Sequence, residues 1–139
     1  MPLTFCLSGG AVITKPPYNK TALESTEVTF PCKGEANPAN LSTAWFRWVP
    51  VTKPKLRGDY SNNARMHQPQ LIKKPLRALN NYAGRYQVKS DGTLVLSDVN
   101  ANDEGKYTCQ ISNGIGKPIS ASAYLAVECK FIELLDVLD

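Results

Sequence analysis

Two of the four cysteines sit on runs of residues that alternate between apolar and polar, and this constrains the fold more than any other feature. Val28, Phe30 and Cys32 alternate with Glu27, Thr29 and Pro31. Tyr107, Cys109 and Ile111 alternate with Lys106, Thr108 and Gln110. Alternation at period two places one set of side chains on a buried face and the other in water, which is the pattern of a β-strand. Two well-separated cysteines on strand-like runs suggest a disulfide and an oxidising compartment. Cys6 and Cys129 lie outside the alternating runs. No CxxC pair occurs and His67 is the single histidine. A zinc site needs about four nitrogen or sulfur ligands, usually as close pairs, so neither a metal nor a cofactor is expected.

The rest of the chain continues in short alternating pieces. Val12 and Ile13 read as an edge strand interrupted at Pro16 and Pro17, where a lost N–H is harmless. Residues 44–49 form a second strong strand, rich in aromatics. Tyr86 and Val88 share one side of the next run, and Leu94 and Leu96 share one side of the run after the Asp91-Gly92 turn. Asn113, Gly114, Ile115 and Gly116 form a hairpin turn, because Asn and Gly tolerate positive φ. Ala121, Ala123, Leu125 and Val127 face inward on a last strand. About seven or eight short strands without a long helix predict an all-β, two-sheet antiparallel sandwich. Residues 131–138 look helical but are too few to be stable alone.

One stretch breaks the pattern. Residues 49–84 contain Pro50, Pro54, Pro69 and Pro75 and show no alternation. They read as a long surface insertion between the third strand and the later ones, or as sequence that the folded protein does not use. Residues 47–85 carry nine basic residues against the single acid Asp59, a net of +8, while the whole chain is +4. The expected layout is a non-domain segment at 1–10, one domain at 11–128 and a non-domain tail at 129–139. Cys6 and Cys129 are then unpaired thiols in the flanks, with a bond between them as the alternative. Residues 1–10 lack the basic start and apolar stretch of an export signal. No apolar run approaches the roughly 20 residues of a membrane span. The chain reads as a piece of a longer secreted or membrane protein.

Cys32, Trp45 and Cys109 follow one another in the order of an immunoglobulin sandwich, where a disulfide joins the sheets and an indole packs beside it. Asp103, Gly105, Tyr107 and Cys109 spell the D-x-G-x-Y-x-C run that resembles the signature of that fold. The resemblance implies a Cys32–Cys109 bridge. It implies a tyrosine corner at Tyr107, whose hydroxyl caps backbone before its strand. It also implies an Asp103–Arg85 pair at the bottom of the sandwich.

The likeness extends to a family. AVITKPPYNKT at 11–21, EVTFPCKGEA at 27–36 and above all NGIGKPISASAYLAVE at 113–128 are similar to an internal I-set domain of the Turtle and Borderless family of neuronal adhesion receptors. That family implies type I membrane proteins with several immunoglobulin and fibronectin domains. It implies homophilic or heterophilic contact with another immunoglobulin-superfamily ectodomain at the cell surface, in axon guidance and synapse formation. Any membrane attachment would come through the remainder of a parent receptor.

Other function classes find less support. His67 lies among Arg65, Gln68 and Pro69 without a nucleophile motif, so the chain is not expected to be an enzyme. The positive charge is confined to one proline-rich stretch, whereas a nucleic-acid protein spreads it over the docking fold. Weak binding of a sulfated glycan by that stretch is one alternative. An intracellular structural I-set domain, as in muscle proteins, is another. Asn19-Lys20-Thr21 and Asn40-Leu41-Ser42 are N-glycosylation sequons. Trp48 has opposite parity to Trp45 and shares a face with Phe46, so both point away from the core. Phe46, Trp48 and Tyr124 are the candidate protein-contact residues.

Overall fold

The computed structural model describes residues 9–37, 39–51 and 70–129. Among these residues are ten strands: β1 Gly9–Lys15, β2 Lys20–Leu23, β3 Val28–Phe30, β4 Lys33–Asn37, β5 Ser42–Pro50, β6 Leu71–Pro75, β7 Tyr86–Val88, β8 Leu94–Leu96, β9 Gly105–Ser112 and β10 Ile119–Glu128. They build the immunoglobulin-like sandwich of the sequence reading. One layer is a five-stranded sheet in the order β2-β10-β9-β5-β6. The other contains β3-β8-β7 and the pair β1-β4. β3 and β4 are one chain path interrupted at Pro31 and Cys32, since proline has no N–H to give the ladder.

Pairing is antiparallel except between β2 and β10, which run parallel, with Lys20 beside Leu125. The cause is the break at Pro16 and Pro17. Before it, β1 pairs with β4 in one layer; after it, the chain pairs with β10 in the other.

The core is built from the inward sets of both layers. Phe30, Leu94, Leu96, Tyr107, Ile111 and Leu125 are each at most 1% exposed. The Phe30 ring stacks on Tyr107 with centroids 5.7 Å apart and lies 6.2 Å from Trp45. Cys32 bonds to Cys109 of β9 across the two layers, with their Cα atoms 6.5 Å apart. Cys129 is an exposed free thiol, 3.7 Å from Glu24 Oε1. Cys6, His67 and the tail at 131–138 lie outside the described residues.

Within the stretch 49–84, the described residues 49–51 and 70–84 carry regular structure that the expectation of a patternless insertion does not include. Val49 and Pro50 end β5, and β6 adds an edge strand that pairs Trp48 with Lys73 and Phe46 with Pro75. Two short 3-10 turns follow at Leu76–Ala78 and Asn80–Tyr82. Leu76 and Tyr82 are fully buried. They lie in separate turns with Leu79 extended between them, an irregular path that a search for alternation does not find.

Gly92 joins the bridge to the tryptophan. It turns between β7 and β8 at φ +93°, and its carbonyl accepts the Trp45 Nε1–H at 2.8 Å. A Cβ there would lie 2.2 Å from the Cys32 carbonyl oxygen. Gly92→Ala is therefore expected to lower stability by about 3 kcal/mol or more, through clash and positive-φ strain together. Urea unfolding followed by tryptophan fluorescence measures this. Reduction of the bridge, which spans a sequence separation of 77, should cost about 4–5 kcal/mol by loop closure alone. The same titration with and without reductant checks it.

Candidate protein-contact face

The outer face of the five-stranded sheet follows from the strand registers. Trp45, Tyr107, Cys109, Ala123 and Leu125 point inward, so their neighbours along each strand point out. Lys73, Trp48, Lys106 and Tyr124 then form one row across four strands. Pro75, Phe46, Thr108 and Ser122 form the next, and Ala44, Gln110 and Ser120 the one after. These three rows hold two lysines and no carboxylate.

The aromatic side chains of this face are held in place. The Trp48 indole donates from Nε1 to Thr108 Oγ1 at 2.8 Å. Thr108 Oγ1 shares a further hydrogen bond with Ser122 Oγ at 2.7 Å. Thr108 is only 3% exposed although it is on the outer side. Trp48 therefore lies across the sheet rather than standing out from it. Lys106 Nζ lies 4.9 Å from the Trp48 ring centroid, and Lys73 Nζ lies 4.7 Å from that of Phe46. Each ammonium is attracted to the negative face of a ring. Phe46 and Trp48 are half-buried, whereas Tyr124 at the other end of its row is 55% exposed.

Behind β5, on the inner side, a polar network locks the strand. Arg47 donates from Nη1 to the Tyr82 hydroxyl and from Nη2 to the Glu104 carbonyl at 2.7 Å. Tyr107 donates its hydroxyl to the Asp103 carbonyl at 2.5 Å. Its proton is thus committed, so in the 2.8 Å contact between the two tyrosine hydroxyls Tyr82 is the donor. The direction runs Arg47 to Tyr82 to Tyr107 to backbone. Burial pushes both hydroxyls above the ordinary tyrosine range, and the neighbouring Tyr82 pushes Tyr107 further. Both stay protonated at physiological pH.

Arg85 makes a two-pronged bond to Asp103, Nη1 to Oδ2 and Nη2 to Oδ1, each 3.0 Å. Asp103 Oδ2 also accepts from Asn100 N at 2.9 Å, closing a capping box on the turn Ala101–Asp103. Burial alone would raise the Asp103 carboxyl. The Arg85 bonds and the Asn100 N–H outweigh it, and the net effect holds the carboxyl below its ordinary value.

Two further residues of this network, Arg47 and Tyr82, were not marked by the sequence. Arg47 interrupts the apolar alternation of β5, and Tyr82 lies in the stretch taken for an insertion. Arg47 and Arg85 are also two of the basic residues counted there. They are half-buried in this network, so they do not belong to an external positive patch. Lys53, Lys55, Arg57 and Arg65 lie outside the described residues. Asn19 and Asn40 are both exposed, at the start of β2 and before β5.

A cleft of about 180 Å³ between β5, β6 and β7 is lined mainly by apolar groups, and Arg77 is its one charged lining residue. Among the described residues, no cluster of three His, Cys, Asp or Glu could hold a metal ion. Among the same residues, no helix is long and apolar enough to cross a membrane.

The profile of the immunoglobulin domain family matches residues 12–113. The chain belongs to this family. It is 35% identical over 122 residues to Protein turtle of Drosophila melanogaster, a match that covers 88% of this chain and 6% of that protein. Protein turtle homolog B of Homo sapiens is 32% identical over 122 residues, 88% of this chain and 7% of that protein. The human cell adhesion molecule DSCAM is 44% identical over 45 residues, 32% of this chain and 2% of that protein. The chain thus spans a small fraction of the relatives it resembles. These matches agree with the Turtle-family likeness read from its residues. Among solved structures, the N-terminal four immunoglobulin domains of Dscam1 isoform 4.44 align with a TM-score of 0.60 at 21% identity, covering 88% of this chain and 26% of that one. A chimeric titin Z1Z2 aligns at 0.59 and 22% identity, covering 87% and 96%. At such identities the two structures show the shared fold alone.

Acid should reach this immunoglobulin domain through Asp103. A carboxyl whose pKa is lowered by folding contributes stability in full above its unfolded value, about 3.9, and loses it as pH falls through the lower folded value. Stability is expected to drop below about pH 4. Asp103→Asn should be less stable by about 2–3 kcal/mol at pH 7 and lose this part of the acid dependence. Urea midpoints across pH 2–7 for both proteins test this.

Proposed function

We propose that this domain is a non-catalytic module of a cell-surface adhesion receptor, in contact with another immunoglobulin-superfamily ectodomain through the outer face of its five-stranded sheet. The observation that carries this reading is the Phe46–Trp48 pair, laid across the sheet under Lys73 and Lys106 in three rows without a carboxylate. Fixed aromatic rings lose little entropy on docking, and tryptophan is enriched where binding energy concentrates. The lysines give the face a sign. They favour a partner that brings carboxylates to the rim of an apolar patch. Tyr124 lies at the end of this face. The similarity to Protein turtle and to a cell adhesion molecule supports adhesion as the purpose of the contact. The family resemblance supports a neuronal setting.

The partner is a second copy of the receptor or a related ectodomain. Several copies presented together on a cell would raise a weak affinity. Beads coated with the domain, mixed with beads carrying candidate ectodomains, provide the test. Trp48→Ala is expected to weaken association about tenfold or more. Lys73→Glu with Lys106→Glu should slow association and change its salt dependence. Unchanged association of well-folded Trp48→Ala beads would place the contact elsewhere.

A further inference from the structure

The Asn19 side chain is held at the edge of the outer face of the five-stranded sheet. It continues the row Lys73–Trp48–Lys106–Tyr124 by one residue, because Lys20 is registered beside Leu125 and the strands run parallel. Its Oδ1 accepts the Tyr124 backbone N–H at 2.9 Å. This bond fixes the side chain against β10 and engages only the oxygen. Among the described residues, Nδ2 has no hydrogen-bond partner. Asn19 and Tyr124 are both exposed and lie side by side on the outer face. Lys20 and Tyr18 turn the other way, with Lys20 Nζ 4.9 Å from the Tyr18 ring centroid and 3.3 Å from Thr29 Oγ1. A shallow depression lies here, with Asn19, Thr21, Tyr124 and Ala126 in its wall.

We propose that Asn19 carries an N-linked glycan whose first sugar rests on the Tyr124 ring. Transfer forms a bond from Asn19 Nδ2 to C1 of that sugar. It breaks the bond from C1 to the diphosphate oxygen of a lipid-linked oligosaccharide donor, releasing the lipid diphosphate and one amide proton. The linked nitrogen keeps its second proton and Oδ1 keeps its lone pairs, so the bond to Tyr124 N survives modification. A pyranose ring has an apolar face of C–H groups that matches an exposed aromatic ring, and the Oδ1 bond holds both at the same edge. Asn40 lacks this relation to Tyr124. It precedes Ser42, which is registered with Ser112, at the opposite end of β9 from Lys106 and Tyr124. The glycan would occupy the Tyr124 end of the sheet face and leave Phe46 and Trp48 to the protein partner. That last consequence rests on the proposed contact face; the glycan itself does not.

The chain, secreted from insect cells behind a cleavable leader, tests this by glycopeptide mass spectrometry and thermal unfolding. Asn19 is expected to be occupied; an unmodified Asn19 in the secreted protein overturns the proposal. Trimming the glycan to its first sugar should leave the melting temperature unchanged. Thr21→Val, which removes the sequon but keeps the Oδ1 bond, should lower it by about 3 °C. In a Tyr124→Ser background the effect of Thr21→Val should vanish. An equal drop in that background overturns Tyr124 as the platform. Should Thr21→Val fail to fold, amidase release of the glycan from folded wild-type and Tyr124→Ser proteins gives the same comparison. Bead association then separates the two proposals: Thr21→Val, which lacks the glycan, should associate as the wild-type domain does, where Trp48→Ala associates more weakly. Weakened association of Thr21→Val as well would overturn the placement of the glycan outside the contact, while occupancy of Asn19 and the melting comparison test the glycan by themselves.

Discussion

The Cys32–Cys109 bond lies at the place where one layer has given up its own hydrogen bonding. Pro31 interrupts the ladder between β3 and β4, and Cys32 follows in the gap. The covalent link from that gap to β9 holds the layers together where strand pairing is weakest. Trp45 and Gly92 complete the joint. The indole donates to the Gly92 carbonyl, and the Gly92 backbone comes so close to Cys32 that no side chain fits between. Four chain segments thus meet at one point. Phe30, Leu94, Ile111 and their neighbours fill the space that this joint encloses.

A second joint lies at the other end of β9. The Arg85–Asp103 pair and the Arg47–Tyr82–Tyr107 relay tie β5 and the turn before β7 to the approach of β9. Its members are buried or half-buried polar groups, each held by a donor or acceptor from another element. Such a network specifies one arrangement of strands, because a slipped strand would leave charges unpaired. With β5 anchored on its inner side through Arg47, Phe46 and Trp48 are presented on the outer side in a fixed register. The proposed contact face depends on the inner network for its geometry, because Arg47 on the inner side of β5 fixes the register of Phe46 and Trp48 on the outer side.

The division of labour within β5 shows how much was legible beforehand. Its alternation separates Trp45 from Phe46 and Trp48, and the structure places them on opposite faces. The hydrogen bond of Trp48 to Thr108 and the ammonium groups over both rings required partners from β9 and β6. β6 itself escaped notice because it is an exposed edge strand of the sequence LIKKP. One wet edge and a terminal proline leave no alternation to read. Leu76 and Tyr82 show no alternation because they lie in two separate 3-10 turns with Leu79 extended between them.

The features legible in the residues alone are therefore local. Period-two alternation, the turn residues Asp91-Gly92 and 113–116, and the spacing around Cys32, Trp45 and Cys109 specify strands, turns and a layered β fold, since each depends on backbone geometry within a few residues. Tertiary structure decided everything that needs two distant segments at once. It moved β2 into the layer opposite β1 and ran it parallel to β10. It converted Arg47 from an interruption in a strand into an anchor, and it placed Asn19 beside Tyr124. A side chain shows its period in the sequence, but its hydrogen-bond partner is set by which strands become neighbours, and only the folded sandwich brings those strands together.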